Sequence, residues 1–296
     1  MNTGHSDYLT HEFRAMASPC AFHLPLSLPD VKQLALQMES EVRRIEAKFS
    51  RYREDSVLSM INQSAGRTIP LDDETLWLLN YASACYTQSE GRFDITSGVL
   101  REVWDFRAGR LPDSQALGDV RARIGFQRLR IEGASLHLPE GMELDLGGLG
   151  KEYAADAAAA IAREAGVSSG AIDLGGDLHI LGPHADGQPW LLGVRHPRQP
   201  DQAIATLPVY QGGMASSGDY ERFFEIEGQR YCHLLNPATG YPVNFWASVS
   251  VVAPSCLLAG TLSSITMLKE ASGEDWLKEQ GVRALLVRPD LSLVSL

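Results

Sequence analysis

The four letters Asp-Leu-Gly-Gly occur twice in this chain, at residues 145–148 and again at 173–176. Each copy follows a short apolar stretch that reads as a strand. The first continues through Gly150 and Lys151 into an alanine-rich helix over 151–164, and the second runs straight into another strand. Residues 143–182 therefore predict strand, glycine turn, helix, turn, strand, glycine turn, strand. Adjacent glycines let backbone N–H groups approach an anion closely. A helix N-terminus adds unpaired N–H donors and the positive end of its dipole, and Lys151 adds a point charge at the same place. The stretch reads as a phosphate or pyrophosphate cradle; the plainer reading is a set of tight αL turns joining strands to a helix. It is not a P-loop, because Asp145 stands at the first glycine of GxxxxGK[ST] and Glu152 at its Ser/Thr, and it is not GxGxxG. Small side chains on most faces let this helix approach a sheet closely, so it is expected to be largely buried.

The chain has 296 residues, 44% of them apolar, ample for a core. Its net charge of −11 argues against general nucleic-acid or anionic-membrane binding, which need basic surfaces. An anionic ligand would need a local positive site, for which Lys151 and Arg222 are the candidates. Cys20, Cys85, Cys232 and Cys256 form no CxxC pair and fit a reducing compartment. The first residues, MNTGHSDYLTHEFRAM, lack the basic start and apolar core of a signal peptide. No apolar run reaches the length of a membrane span. The expected compartment is the cytoplasm, or the periplasm if a leader was removed.

Along the chain, residues 1–12 are polar and expected to fray. Residues 13–24 predict a strand pair broken at Ser18-Pro19, and 30–50 an amphipathic helix with Asp30 as N-cap. Helices are expected over 56–62, 72–89, 113–124 and 257–270, and a turn and strand over 91–106. Hairpins are expected over 128–141 and 222–235, and strands over 190–194, 204–210, 247–253, 284–288 and 291–294. Residues 214–220 (MASSGDY) carry a loop signal. With no clear linker, residues 1–296 are read as one α+β unit of two lobes, with mixed sheets and packed helices.

The second informative stretch is 214–242, MASSGDYERFFEIEGQRYCHLLNPATGYP. Two polar loops sit at the ends of an expected hairpin, which would bring Ser216, Ser217, Asp219, Arg222, His233, Asn236 and Thr239 toward one cleft. Such a cluster suits phosphoryl or nucleotidyl chemistry: Arg222 to bind phosphate, His233 to move protons, Asp219 to orient a partner. The bland alternative is ordinary turn chemistry with a histidine at a strand end.

Taken together, these stretches resemble a known family, the FAD:protein FMN transferases, or ApbE family of flavin transferases. The resemblance covers nearly the whole chain in collinear order. FRAMAS resembles F-x-A-M-G-T; FSRY with 56–62 resembles R-Y-x-x-x-S-x-L-S-x-L-N; GRFDITSGVLREVWDF resembles FD-x-T-x-G-P-L-x-x-x-W-x-F. LDLGGLGKEYAAD is similar to DLGG-x-A-K-G-Y-A-x-D, AIDLGGDLHILG to the N-x-GG-D strand, and SSGDYER with HLLNPATGYP to SGDYER and HI-x-[DN]P-x-TG-x-P. The resemblance implies Mg²⁺-assisted transfer of FMN from FAD to a threonine or serine hydroxyl of an acceptor flavoprotein, with AMP leaving. It implies that Met16, Tyr52, Asp94, Thr96, Lys151, Asp177, Ser217, Asp219, Arg222 and His233 lie around FAD, the first few positioning flavin or adenosine. His233, Asp219 and Lys151 are then the catalytic candidates.

The departures are specific. The family's late helix carries A-D-A-x-[AS]-T, whose Asp and Thr hold the metal with the carbonyl before the motif lysine. Here Gly260 stands at the Asp position, Ser264 keeps a hydroxyl at the Thr position, the carbonyl is Gly150's, and Glu152 replaces the glycine after the lysine. Mg²⁺ prefers carboxylate oxygen, so losing this Asp should cost roughly a thousandfold or more in rate unless another carboxylate, such as Glu152, substitutes. Three readings stay open: an FMN transferase, an FAD binder with little transfer, and an FAD diphosphate hydrolase.

Overall fold

The computed structural model describes residues 7–296. The chain runs β1 (Tyr8–Ala15), β2 (Ser18–Pro25), α1 (Val31–Phe49), α2 (Val57–Asn62), β3 (Thr68–Pro70) and α3 (Asp73–Gln88). A 3-10 helix (Ile95–Glu102), α4 (Ser114–Arg121), β4 (Arg130–Glu132) and β5 (Ser135–His137) follow. Then come α5 (Gly150–Glu164), β6 (Gly170–Leu174), β7 (Asp177–Gly182), β8 (Trp190–His196), β9 (Gln199–Val209) and β10 (Gly212–Gly218). The last elements are β11 (Phe223–Ile226), β12 (Gln229–Cys232), β13 (Ser248–Ala253), α6 (Cys256–Lys269), α7 (Gly273–Glu279), β14 (Arg283–Val287) and β15 (Leu293–Ser295).

The central sheet has eight strands in the order β1-β2-β6-β7-β10-β13-β14-β15. The α+β class is as expected. Against the expectation of mixed sheets, every pairing within the described strands is antiparallel.

Period-two alternation gives the sheet two different faces. On β7, Leu178 and Ile180 join a cluster with Trp190, Leu192 and Val194 of β8. The intervening Asp177 and His179 point the other way, toward α5, where they meet Lys151 and Asp156. Helix α5 lies among α1, α6, β6 and β7. Ala154, Ala155, Ala158, Ala159 and Ala162 are fully buried there, so the alanine-rich surface is a close-packing face, as expected.

Two hairpin turns converge beside the start of α5. The second Asp-Leu-Gly-Gly copy turns β6 into β7 with Leu174 opposite Asp177, leaving Gly175 (φ 68°) and Gly176 (φ 93°) as a two-residue loop. Positive φ at both positions is the type I′ requirement, which glycine meets without strain. The β1–β2 turn has the same length, with Ala15 opposite Ser18, and is made by Met16 (φ 51°) and Ala17 (φ 60°). The break expected at Ser18-Pro19 therefore falls two residues earlier, and Ser18 and Pro19 open β2. A Cβ on Gly175 would lie 2.5 Å from the Ser18 Cβ and 3.8 Å from the Lys151 Nζ.

Other local expectations are also revised. Of residues 1–12, 1–6 lie outside the described part, while Tyr8 already begins β1. Asp30 precedes α1 but in αL geometry and without a side-chain cap bond. The strand expected within 91–106 is the 3-10 helix, whose first turn Asp94 caps through Thr96. Residues 142–146, expected as a strand, form none. Instead, Asn62 brackets Leu144 with two side-chain bonds, and the Asp145 amide donates to the Ile95 carbonyl at 2.8 Å. The loop expected over 214–220 is largely β10, in mid-sheet. Its serines suggest a loop, yet Ser216 pairs hydroxyl to hydroxyl with Ser250 across the ladder at 2.7 Å, which satisfies a polar side chain inside a sheet.

Candidate functional site

The site lies where the start of α5, the β6–β7 turn, the end of β10 and the segment leaving β12 meet. Lys151 sits in the first turn of α5 and its Nζ is 2.6 Å from Asp177 Oδ2. Burial works against the ammonium, but the charges of Asp177 and Glu152 outweigh it and hold Lys151 protonated. Burial raises the Asp177 carboxyl, with Lys151 pulling the other way. The first Asp-Leu-Gly-Gly turn satisfies much of its own backbone. Gly147 N–H donates to Asp145 Oδ1 at 2.8 Å, and Leu149 and Gly150 N–H both donate to the Leu146 carbonyl. What the turn offers a ligand is then the α5 terminus, without a side-chain cap, and Lys151.

Glu152, one residue on, is 7% exposed and its Oε2 has no hydrogen-bond partner. Burial first, then the charge of Asp177, pushes its carboxyl up to about 8, with Lys151 offsetting only part of this. Its side chain lies against Gly260 of α6. One turn further along α6, Ser264 meets Ser217 of β10 at 2.9 Å, and Ser217 also meets Ser263 at 2.9 Å.

His233 follows β12, and its N–H donates to the Arg222 carbonyl at 2.9 Å. Its Nδ1 is buried without a partner. Burial, then the positive charges of Arg222 and Lys151, lowers this imidazole to about 4, so it is neutral near pH 7. The Arg222 charge also reaches Tyr52, whose phenol is held below its ordinary pKa first by a hydrogen bond from Arg51. Tyr52 is 80% exposed. Arg51 donates to the Tyr52 hydroxyl at 2.8 Å and pairs with Asp145, so Tyr52 and the first glycine turn are linked.

Other expected site residues are committed to the framework. Asp94 accepts from Thr96 N and Oγ1 and from Phe126 N, while Thr96 Oγ1 accepts from Gly125 N. Both are buried and pin the 3-10 helix to residues 125–126. Met16 occupies the strained β1–β2 turn, and its N–H donates to Glu46 Oε1 at 2.5 Å. Asp219, expected to orient a partner, faces arginines rather than His233. Both its oxygens are taken by Arg198, at 2.6 and 2.8 Å, with Arg230 at 3.5 Å, and His233 Nδ1 stays unpaired. Asn236 and Thr239 serve their own turn, accepting from Ala238 N and Tyr241 N. Arg51 sits in the FSRY stretch, but its aspartate partner 94 residues away has no local signal. Arg198 and Arg230 likewise become visible only once the chain is folded.

This arrangement can be set beside known proteins. The ApbE family model matches residues 16–286. The chain belongs to the ApbE family. A FAD:protein FMN transferase of Vibrio cholerae is 30% identical over 251 residues, 81% of this chain and 75% of that protein. A FAD:protein FMN transferase of Treponema pallidum is 31% identical over 276 residues, 83% of this chain and 74% of that protein. Among solved structures, the ApbE protein of Thermotoga maritima superposes with a TM-score of 0.89 at 30% identity, covering 97% of this chain and 96% of that one. The flavinyl transferase ApbE of Pseudomonas stutzeri, in its apo form, gives a TM-score of 0.85 at 26% identity, covering 97% and 95%. Membership of this family spans both glycine turns, the Lys151–Asp177 pair, Ser217 and His233.

Proposed function

We propose that this chain is a FAD:protein FMN transferase that moves FMN from FAD to a threonine or serine hydroxyl of an acceptor flavoprotein and releases AMP. The observation that carries the reading is a protonated Lys151 at the uncapped start of α5 whose charge reaches an unpartnered, neutral His233. A diphosphate needs cations and backbone donors, and an attacking hydroxyl needs a base. Family membership narrows this phosphate chemistry to FAD.

In this reading the acceptor oxygen forms a bond to the FMN phosphorus, and the bond from that phosphorus to the bridging oxygen breaks. AMP leaves with the bridging oxygen and its charge. Lys151, tied to Asp177, lies against the diphosphate, and Arg222 binds phosphate at the open side of the site. His233, neutral and with Nδ1 unpartnered, would accept the hydroxyl proton. Tyr52, exposed and braced by Arg51, lies against a ring of the dinucleotide. Met16, Asp94 and Thr96 position the flavin or adenosine through the turns they shape, and Asp219 with Arg198 holds the end of β10.

Mg²⁺ fits the donors present. The Glu152 carboxylate lies against Gly260 of α6 with one oxygen buried and unpartnered; with the Ser264 hydroxyl one turn along α6 and the Gly150 carbonyl at the start of α5, it would offer the ion hard oxygen donors. Among the described residues no group of three or more His, Cys, Asp or Glu could hold a metal, so phosphate and water oxygens would complete the shell. When bound, the ion would neutralise charge developing on the phosphates.

The test is incubation of the protein with FAD, Mg²⁺ and a threonine-bearing acceptor peptide. A peptide mass gain matching FMN less water, with equimolar AMP, is expected. AMP and free FMN without peptide modification would instead mark a hydrolase, and bound FAD with neither product, tried across several acceptor sequences, a binding protein.

A further inference from the structure

Position 260 is a glycine inside α6, and it is not empty space. A Cβ built there would lie 2.6 Å from Glu152 Cγ, 2.7 Å from Oε1 and 2.9 Å from Cδ. The Glu152 side chain reaches from α5 and occupies the volume that a residue at 260 would use. Its partners are incomplete. The nearest cation, Lys151, is paired with Asp177, and Glu152 Oε2 is buried without a hydrogen bond. Burying an acidic oxygen this way is costly unless something discharges it. Ser264, one turn beyond Gly260 on α6, holds its hydroxyl at 2.9 Å from Ser217, so α6 carries a hydroxyl one turn from the glycine that Glu152 packs against.

We propose that Glu152 supplies, from α5, the anionic oxygen for a divalent cation seated between the first turn of α5 and Gly260 of α6. The two positions form a reciprocal pair: Gly260 makes room for Glu152, and Glu152 brings the carboxylate that position 260 lacks. The ligand set is carboxylate, hydroxyl and carbonyl oxygen without histidine or thiolate, which selects a hard ion such as Mg²⁺ over Zn²⁺. This assignment rests on the transferase reading and gives it its metal carboxylate.

The experiment titrates Mn²⁺, followed by electron paramagnetic resonance and displaced by Mg²⁺, into the full chain with and without saturating FAD. It compares the wild type, Glu152→Gln, and the exchange variant carrying Glu152→Gly with Gly260→Asp. FAD binding without metal is followed by flavin fluorescence. The wild type is expected to bind one Mn²⁺ that Mg²⁺ displaces. Glu152→Gln is expected to weaken that binding by about tenfold or more while keeping metal-free FAD affinity, and the exchange variant to restore it. Equal Mn²⁺ affinity in wild type and Glu152→Gln, or binding by neither in either condition, overturns the assignment. If Glu152→Gln fails to fold, the exchange variant decides, because a folded protein that still binds no Mn²⁺ contradicts reciprocity. Mn²⁺ bound as expected with no FAD binding by any form would leave the metal assignment standing and remove the transferase reading.

Discussion

Asp156 of α5 accepts the amide hydrogen of Cys256, the first residue of α6, at 2.8 Å. Its other oxygen accepts from Leu257 N at 2.9 Å. Arg163 donates to His179 Nε2 at 2.7 Å, which leaves His179 Nδ1 to donate to Asp156 at 2.5 Å. One helix thus caps another, with a sheet residue as brace. This fixes the angle at which α5 faces α6 and so places Glu152 over Gly260.

Replacing Asp156 by alanine removes two capping bonds and strands the His179 N–H. The expected loss is about 2–4 kcal/mol of unfolding free energy, with Asp156→Asn milder because one acceptor oxygen remains. Urea denaturation of the three proteins checks this. An alanine variant within about 0.5 kcal/mol of wild type would mean the network is not a stabilising cap.

Lys151 and Asp177 separate stability from ligand binding. Lys151→Met leaves a buried carboxylate without its cation and is expected to cost about 2–3 kcal/mol, less than a fully buried pair because Lys151 keeps some exposure. Adding Asp177→Asn should recover most of that loss. Neither variant should recover FAD affinity, since the positive charge is gone from both. Recovery of FAD binding in the double variant would show that Lys151 acts only on the fold.

His233 gives a pH signature. Its folded pKa of about 4 lies below the ordinary value of 6.5, so between these values the unfolded chain carries the extra proton. Its contribution is full above pH 6.5 and is lost as pH falls toward 4, by at most about 3.5 kcal/mol at roughly 1.4 kcal/mol per pH unit. Comparing urea midpoints of wild type and His233→Gln across pH 4–7 isolates this slope from the nearby carboxylates. The difference between the two curves should shrink on acidification; a constant difference would show that His233 titrates normally.

Ala17 sits at φ 60° in a two-residue hairpin turn, a conformation that costs a residue with a Cβ roughly 1–2 kcal/mol. Ala17→Gly is expected to raise stability by about 0.5–1 kcal/mol, the gain being reduced by glycine's entropy in the unfolded chain. A thermal melt measures it, and a fall in Tm would mean that the Ala17 methyl contributes packing that outweighs the strain.

Much of the frame was legible because it depends on local pattern. Helical spacing predicted α1, α3 and α6 to within a residue or two, and alanine content predicted the burial of α5. The β6–β7 turn follows from its glycines, since type I′ geometry demands positive φ twice. The resemblance placed Lys151, Asp177, Ser217, Arg222 and His233 in one site, and the fold gathers them from four separate segments. Where the local reading failed, a long-range partner had changed the meaning of a residue. Ser216 and Ser217 read as loop because hydroxyls favour turns, yet Ser250, Ser263 and Ser264 satisfy them within the fold. Asp219 read as a residue that orients a partner, and only the folded chain shows that Arg198 takes both its oxygens.

The sequence by itself determined the family, the α+β class, the two glycine turns and the missing carboxylate at 260, because each of these is written in residue identity and spacing. Only the tertiary structure decided what stands in the missing side chain's place. Residues 152 and 260 are far apart along the chain, and the sequence could name Glu152 as a substitute carboxylate without showing that its side chain fills the space at 260. They meet because Asp156 caps α6 and the alanine face of α5 lets the two helices close, so the volume left by one side chain is filled by another.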